Sequence, residues 1–148
     1  MVQVRNISME DTHKFLQGAK LGHLAYSFEN QPYIVPLHFG YDGENIYFFT
    51  TDGTKTRILS ANPKVCLQVE QVDDFENWRS VMVMGRAELL TDSKEIARAV
   101  GYLTERELPL PPEMNKVSLV NRLGKNEVMI YRISPKEITG RQRIEVAA

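Results

Sequence analysis

Four stretches in the first half of the chain predict strands: residues 21–28, 33–41, 44–51 and 65–69. Apolar and polar residues alternate with a period of two along the first two stretches and the last. Such alternation predicts strands that bury one face. The turn residues 29–32 separate the first two stretches, and Asp42-Gly43 separates the second from the third. Because Asp-Gly favours a two-residue type I′ turn, we expect antiparallel hairpins here.

The second half of the chain predicts a long strand and a closing pair. Residues 78–90 form the longest strand candidate, with Val81, Val83, Ala87 and Leu89 on one face and a bend or bulge at Gly85. Residues 127–133 and 137–143 predict two closing strands around Ser134-Pro135. Six or seven strands joined mainly by hairpins indicate a mainly β fold, an antiparallel barrel, formed by one domain over residues 1–148.

Three or four short helices are expected around this barrel. Ser8 and Asp92 begin sequences typical of capping boxes, and each precedes a helical apolar pattern. A third helix is predicted after the stiff connector at residues 109–112, ending at Gly124. The remaining candidate is a short basic helix that begins near Gly53 and stops at Asn62-Pro63.

The start of that basic helix is the strongest candidate binding site. The N–H groups of a helical first turn lack internal partners, and the helix dipole is positive there. Thr54 or Thr56 can donate a hydrogen bond, while Lys55 adds a full charge. This combination suits a phosphate group. The alternative is an ordinary N-cap threonine beside a solvated lysine.

Composition narrows the function classes. The 148 residues carry 18 basic and 19 acidic side chains, so no basic stripe predicts nucleic-acid or membrane binding. The first residues lack the apolar core of a signal peptide, and we therefore expect a cytoplasmic protein. A single cysteine, Cys66, excludes an internal disulfide, and the three histidines lack metal-site spacing.

Two further groups could carry chemistry. His38 follows Pro36, which cannot donate to a sheet ladder, so this segment is expected at an edge or beside a cavity. A solvent-facing strand histidine is the alternative. Trp78, Arg79 and Ser80 offer an aromatic plane, a guanidinium and a hydroxyl that could stack on a ring and bind an anion. They could equally form an aromatic anchor at the barrel rim.

The ordered motifs resemble those of a known family. They are Gly-His-Leu-Ala (22–25), Gln-Pro-Tyr-Ile-Val-Pro-Leu-His-Phe (31–39), Tyr-Asp-Gly-Glu-Asn-Ile-Tyr-Phe (41–48), Gly-Thr-Lys (53–55), Asn-Pro-Lys-Val-Cys (62–66), Trp-Arg-Ser-Val-Met-Val-Met-Gly-Arg-Ala (78–87) and Ile-Thr-Gly-Arg (138–141). Together they look like the pyridoxamine 5′-phosphate oxidase-like split β-barrel flavoproteins, and most like the nitroimidazole-resistance-like subgroup.

This resemblance implies an FMN-binding homodimer with the cofactor between the two chains. By resemblance, the flavin lies against the strand Val35, Pro36, Leu37 and His38, and its phosphate is held by Thr50, Thr51, Thr54 and Lys55. Trp78, Arg79 and Ser80 would approach the flavin from the partner subunit.

The function that the resemblance implies is a small oxidoreductase, which moves electrons or hydride between a nicotinamide or other donor and a small-molecule acceptor. The alternatives are a flavin carrier or sensor without turnover, and a deazaflavin-dependent reductase. Tyr33 and His38 stand where vitamin-oxidising members carry arginine and lysine, which disfavours vitamin oxidation.

Overall fold

The computed structural model describes residues 2–51, 53–104, 116–125 and 127–145, and these residues form a mainly β fold. The elements in chain order are β1 (Val2–Asn6), α1 (Met9–Gly18), β2 (Leu21–Phe28), β3 (Gln31–Tyr41), β4 (Ile46–Thr51), α2 (Thr54–Ala61), β5 (Lys64–Val72), β6 (Trp78–Leu89), α3 (Ser93–Thr104), α4 (Lys116–Gly124) and β7 (Val128–Glu145). None of the described helices has the length and apolar character needed to cross a membrane.

The seven strands form one antiparallel sheet in the order β1-β7-β4-β3-β2-β5-β6. A further pairing joins β6, the last strand in this order, to β7, the second, and so brings the sheet round into a barrel. The predicted antiparallel barrel with peripheral helices is therefore confirmed.

The core follows the alternation seen in the sequence. Leu24, Phe39, Phe48, Leu67 and Val83 point inward and are almost completely buried. A second apolar cluster packs α3 and α4 against the outside of β4 and β7. Because one residue in two faces inward, the outer face of β2, β3, β5 and β6 is a separate surface with its own composition.

The two hairpin turns differ from their prediction. Glu29 and Asn30 both have positive φ, at 49° and 65°, and link the paired residues Phe28 and Gln31 as a two-residue turn. At the next turn only Gly43 has positive φ, so the predicted type I′ turn at Asp42-Gly43 is wrong. There β3 and β4 are instead connected by residues 42–45.

That second turn is held by the Asp42 carboxylate. It accepts the N–H groups of Glu44 (2.8 Å) and Asn45 (2.6 Å) and the Tyr47 hydroxyl (2.9 Å), and Arg98 lies 3.5 Å away. The Asp42 side chain is only 2% exposed. Burial favours the neutral acid, but these hydrogen bonds and the Arg98 charge prevail and lower the pKa of Asp42.

The strand limits also needed correction. The two predicted closing strands are one strand, β7, which runs through Ser134 and Pro135. A register shift between Met84 and Gly85 leaves one extra residue on β7 and confirms the expected irregularity at Gly85. Strand β1 was not predicted, β4 begins at Ile46, and Leu89 is exposed. The predicted connector at 109–112 lies outside the described residues.

Candidate functional site

The barrel is open between β3 and β4. Strand β3 pairs with β2 from Gln31 to His38, but it pairs with β4 only from Phe39 to Tyr41. Beyond Phe48, β4 continues against β7 alone and ends at Thr51. The first half of β3 therefore has a free edge, and we call residues 31–36 the free edge of β3.

The free edge of β3 offers few hydrogen-bond donors. The Phe39 N–H donates to the Lys20 carbonyl at 3.0 Å, on the β2 side of the strand. Strand alternation then directs the backbone nitrogens of Pro32, Ile34 and Pro36 away from β2, toward the free edge. Both prolines lack an N–H, so Ile34 supplies the donor between them. Such an edge resists strand addition while leaving carbonyl groups for a small ligand.

The start of α2 lies across this opening. A cavity of about 270 Å³ is lined by Phe28 and Tyr33 on one side and by Thr54, Arg57 and Ile58 on the other. The structure therefore brings Tyr33, on the free edge of β3, and the predicted basic corner to the same opening, whereas none of the predicted residues Val35, Pro36, Leu37 and His38 lines this cavity.

The end of β4 and the first turn of α2 form a cradle. Thr50 is buried, and its hydroxyl accepts a hydrogen bond from Lys55 Nζ at 3.2 Å. Gly53 is the N-cap of α2. The first backbone hydrogen bond of the helix runs from the Arg57 N–H to the Gly53 carbonyl at 3.2 Å. The N–H groups of Thr54 and Lys55 come before this first helical bond, so the cradle presents donors and positive charge.

The Lys55 ammonium is half-buried and has no countercharge among the residues that the structure describes. No carboxylate of residues 2–51, 53–104, 116–125 or 127–145 forms an ion pair with it; its hydrogen-bond partner is the neutral Thr50 hydroxyl. Burial lowers the pKa of Lys55 below its ordinary value. A bound phosphate would supply the missing negative charge, so these residues fit the phosphate group of a flavin nucleotide.

Thr54 and Thr56, the two threonines of the first turn of α2, have different roles. The Thr56 hydroxyl donates to the Gly53 carbonyl (2.7 Å) and accepts from the Gly53 N–H (3.0 Å), so Thr56 fixes the helix start and Thr54 remains for a ligand. Arg57, which the sequence analysis missed as a site residue, approaches the Thr54 hydroxyl at 3.5 Å. The i, i+3 spacing of Thr54 and Arg57 on a helix was the signal that could have identified it.

The four predicted residues of β3 divide between its two faces. Leu37 is buried and Val35 packs against the core, whereas Pro36 lies exposed on the outer face. His38 shares that outer face and is partly buried. Its Nδ1 atom is shut off from solvent and has no hydrogen-bond partner among the described residues. An orphaned polar atom on this face of β3 is a further feature that a polar ligand could satisfy.

Trp78, Arg79 and Ser80 lie elsewhere on the chain. Trp78 and Arg79 line a cavity of about 260 Å³ at the start of β6, and the Ser80 hydroxyl accepts a hydrogen bond from Gln68 Nε2 at 3.1 Å. Both β4 and β6 pair with β7, but Thr50 lies opposite Met129 whereas Trp78 lies opposite Arg143, 14 residues farther along β7. Within one chain the structure therefore does not bring these residues to the Lys55 cradle.

Two solved structures have an architecture similar to that of this chain. A FAD-binding protein (mll6688) from Mesorhizobium loti is 28% identical, with 98% of this chain and all of that chain covered and a TM-score of 0.76. A protein described as a 5-nitroimidazole antibiotic resistance protein from Bacteroides thetaiotaomicron shares the fold at 19% identity, with coverages of 99% and 93% and a TM-score of 0.71.

Sequence comparison points the same way. The uncharacterised protein RA0666 of Rhizobium meliloti (strain 1021) is 36% identical over 83 residues, which are 56% of this chain and 55% of that protein. The profile of the family described as pyridoxamine 5′-phosphate oxidase matches residues 8–142. Because that match spans most of the 148 residues, the chain belongs to the pyridoxamine 5′-phosphate oxidase family.

Proposed function

We propose that this protein binds FMN and acts as a small oxidoreductase. The observation that carries the proposal is the half-buried Lys55 ammonium, which lies 3.2 Å from a neutral hydroxyl and has no acidic partner in the described ranges. Partial burial of a charge is costly when no countercharge lies beside it in the described ranges, so the retention of Lys55 at an open helix start favours a bound anion.

The cradle residues would divide the work of holding the phosphate. Lys55 supplies the charge, the Thr54 hydroxyl and the first-turn N–H groups donate, and Thr50 orients Lys55 through the hydrogen bond already present. Thr51 follows Thr50 at the end of β4 and is exposed, so its hydroxyl would be available as a further donor. The arrangement combines a full charge with preoriented donors, which is how phosphate groups are usually held.

The free edge of β3 would bind the flavin ring. Its carbonyl groups accept hydrogen bonds and the Ile34 N–H donates one, a pattern that matches a ring edge with both donors and acceptors. His38 Nδ1, orphaned beside this strand, gives a further polar contact. These groups fix the orientation of the ring and exclude water from one side of it.

A second copy of the chain would complete the site. Leu21, Ile34 and Met82 lie on the outer face of the sheet and are 54%, 66% and 40% exposed, respectively. An apolar face of this kind favours a two-fold partner. Trp78, Arg79 and Ser80 of that copy would then approach the ring that the first chain holds by its phosphate.

Bound FMN supplies the electron or hydride transfer between a donor such as a nicotinamide and a small-molecule acceptor. The protein's own contribution is position and electrostatics. Trp78 offers a flat surface on which an aromatic acceptor can stack, and Arg79 places a positive charge beside it.

FAD is the second candidate cofactor. The relative from Mesorhizobium loti is described as FAD-binding, and Arg57 supplies a second cation one turn after Thr54. A second phosphate beyond the first would lie next to Arg57, and the 270 Å³ cavity between Phe28, Tyr33 and Arg57 has room for one ring system.

The test is the purified full chain itself. We expect a yellow protein with flavin absorbance, and we expect heat to release a compound with the mass of FMN. Release of FAD would select the second candidate, and release of a deazaflavin would select that class of reductase. A protein that binds none of these on titration contradicts the proposal. Flavin that stays bound but is not reoxidised by any acceptor faster than free FMN would indicate a carrier or sensor.

A further inference from the structure

The outer face of the sheet carries a third cavity, which we call the basic cleft. It has a volume of about 500 Å³ and lies where β5 begins and β6 approaches its end. Ala25, Cys66 and Met84 contribute apolar surface to it. Three basic side chains, Lys64, Arg86 and Lys136, surround that apolar surface.

The basic cleft holds its charges in an unfavourable arrangement. Lys64 and Arg86 are directly opposite each other in the β5–β6 register, and like charges at such positions destabilise a sheet. Lys136 is the extra residue of β7 at the register shift beside Gly85. Throughout the described part of the chain, none of these three cations forms an ion pair. The basic cleft therefore favours an occupant that joins negative charge to an apolar group.

The chain itself contains a segment of that chemistry at the other end of the same two strands. Residues 73–77, which we call the acidic loop, carry Asp73, Asp74 and Glu76 around Phe75. The Phe75 side chain is 94% exposed. An aromatic residue so exposed is a candidate anchor for a protein contact.

The acidic loop is preorganised. The Asp74 carboxylate accepts the N–H groups of Glu76 at 2.7 Å and Asn77 at 2.8 Å, and the Asp73 N–H donates to the Asn77 carbonyl at 3.0 Å. These bonds fix the backbone on both sides of Phe75 before any partner arrives. Less conformational entropy is then lost on docking.

The positions of the acidic loop and the basic cleft suit a two-fold dimer. Strand β5 has nine residues, so the two features lie about 26 Å apart at 3.3 Å per residue. We consider a two-fold axis that lies between the outer faces of two copies and is perpendicular to their strands. Rotation about this axis stacks β5 and β6 of one copy on β5 and β6 of the other, with the strands of the two copies running in opposite directions. Each acidic loop then meets the basic cleft of the other copy.

We propose that the acidic loop of one chain docks in the basic cleft of a second copy, with Phe75 on the apolar surface and Asp73 and Glu76 beside Lys64, Arg86 and Lys136. This inference rests on the proposed homodimer and names the contact that forms it. The same rotation carries Trp78, which follows the acidic loop directly, toward the end of the partner at which the free edge of β3 begins.

The experiment measures the dimer dissociation constant of the full chain by analytical ultracentrifugation. Three variants are each expected to raise the dimer dissociation constant about tenfold or more. They are Phe75→Ser, the loop reversal Asp73→Lys with Glu76→Lys, and the cleft reversal Lys64→Glu with Arg86→Glu. Combining both reversals is expected to restore it, because opposite charges face each other again. Met9→Ser and Lys94→Glu, exposed positions on α1 and α3, are the matched controls.

Several results would overturn the docking. These are a wild-type monomer at micromolar concentration, variants that dimerise as well as the controls, and combined reversals no better than the single ones. FMN titration of the same samples separates this inference from the proposed function. Tight FMN binding with an unaffected dimer in Phe75→Ser removes the docking alone. If these substitutions weaken the dimer but the wild-type chain binds no flavin, the docking is supported and the proposed function is removed.

Discussion

Replacing Lys55 by methionine removes a charge and keeps most of the side-chain volume. In the cradle, Lys55 Nζ contacts the Thr50 hydroxyl at 3.2 Å, and no acid of the described residues neutralises it. A hydrogen bond to a charged group contributes about 1.5–3 kcal/mol. We therefore expect Lys55→Met to raise the FMN dissociation constant about 10- to 150-fold.

The same substitution is not expected to destabilise the flavin-free protein, although it weakens FMN binding. Burial lowers the pKa of Lys55, so the folded protein without a ligand holds this ammonium at a cost. Lys55→Met is thus expected to leave the melting temperature of the flavin-free protein unchanged or raise it. A residue that serves only the fold would behave in the reverse way.

The assay is fluorescence titration with FMN and with riboflavin, which lacks the phosphate. Lys55→Met should weaken FMN binding and leave riboflavin binding nearly unchanged, while Lys94→Met, a change of the same kind on α3, should affect neither. Equal losses for both flavins would place Lys55 at the ring. An unchanged FMN dissociation constant, or a clear loss of stability, would refute the reasoning that makes Lys55 the phosphate ligand.

Three further predictions concern the ring side of the site and the fold. Trp78→Ala is expected to slow flavin reduction or reoxidation in stopped-flow measurements while FMN stays bound. Gly85→Ala is expected to lower the melting temperature by roughly 3–10 °C, because its Cβ would lie 2.2 Å from the Ser134 carbonyl oxygen, whereas Gly18→Ala, with open space around it, should not. Asp42→Asn is expected to destabilise the protein near neutral pH. Because the folded-state pKa of Asp42 is lowered, the contribution of its carboxylate to stability is present above about pH 4 and is lost as the pH falls through that lowered value. Chemical unfolding at several pH values should therefore show the free energies of unfolding of the two proteins converging in acid.

The strands were predictable because each buries one face. Alternation at residues 21–28 and 65–69 is a local property, and the barrel needs little more than hairpins to connect such strands. The turn at Glu29-Asn30 was harder to predict, because neither residue is glycine, yet both have positive φ. Asp42-Gly43 was predicted wrongly because the Asp42 carboxylate satisfies the turn's N–H groups in a longer loop.

Strand β7 shows what local patterns miss. Pro135 suggested a break, but it lies opposite Gly85 at the register shift, where one residue of β7 is already left out of the ladder. Strand β1 is five residues long and is defined by its pairing with the end of β7, a contact between the two ends of the described chain. Pairing over such a distance has no signal in a short window.

The candidate site also has a part that the sequence predicts and a part that only the structure shows. The Lys55 cradle is local in sequence, so Thr50, Thr54 and Lys55 could be found from spacing and residue type. The structure brings the free edge of β3 to that cradle through the parting of β3 and β4, which no motif records. Trp78, Arg79 and Ser80 do not reach the cradle within one chain, so the sequence could connect them to the site only through family resemblance.

Mixed dimers test the central claim, a flavin site shared by two chains, most directly. Lys55→Met removes the phosphate contact, and Arg79→Glu places a negative charge where the partner's ring is expected. Each variant alone should bind FMN weakly. A mixed dimer contains one site with Lys55 from one chain and Arg79 from the other, both intact. Titration of the isolated mixed dimer should give one tightly bound FMN per dimer, and a mixed dimer that binds no more FMN than its parents would contradict the account.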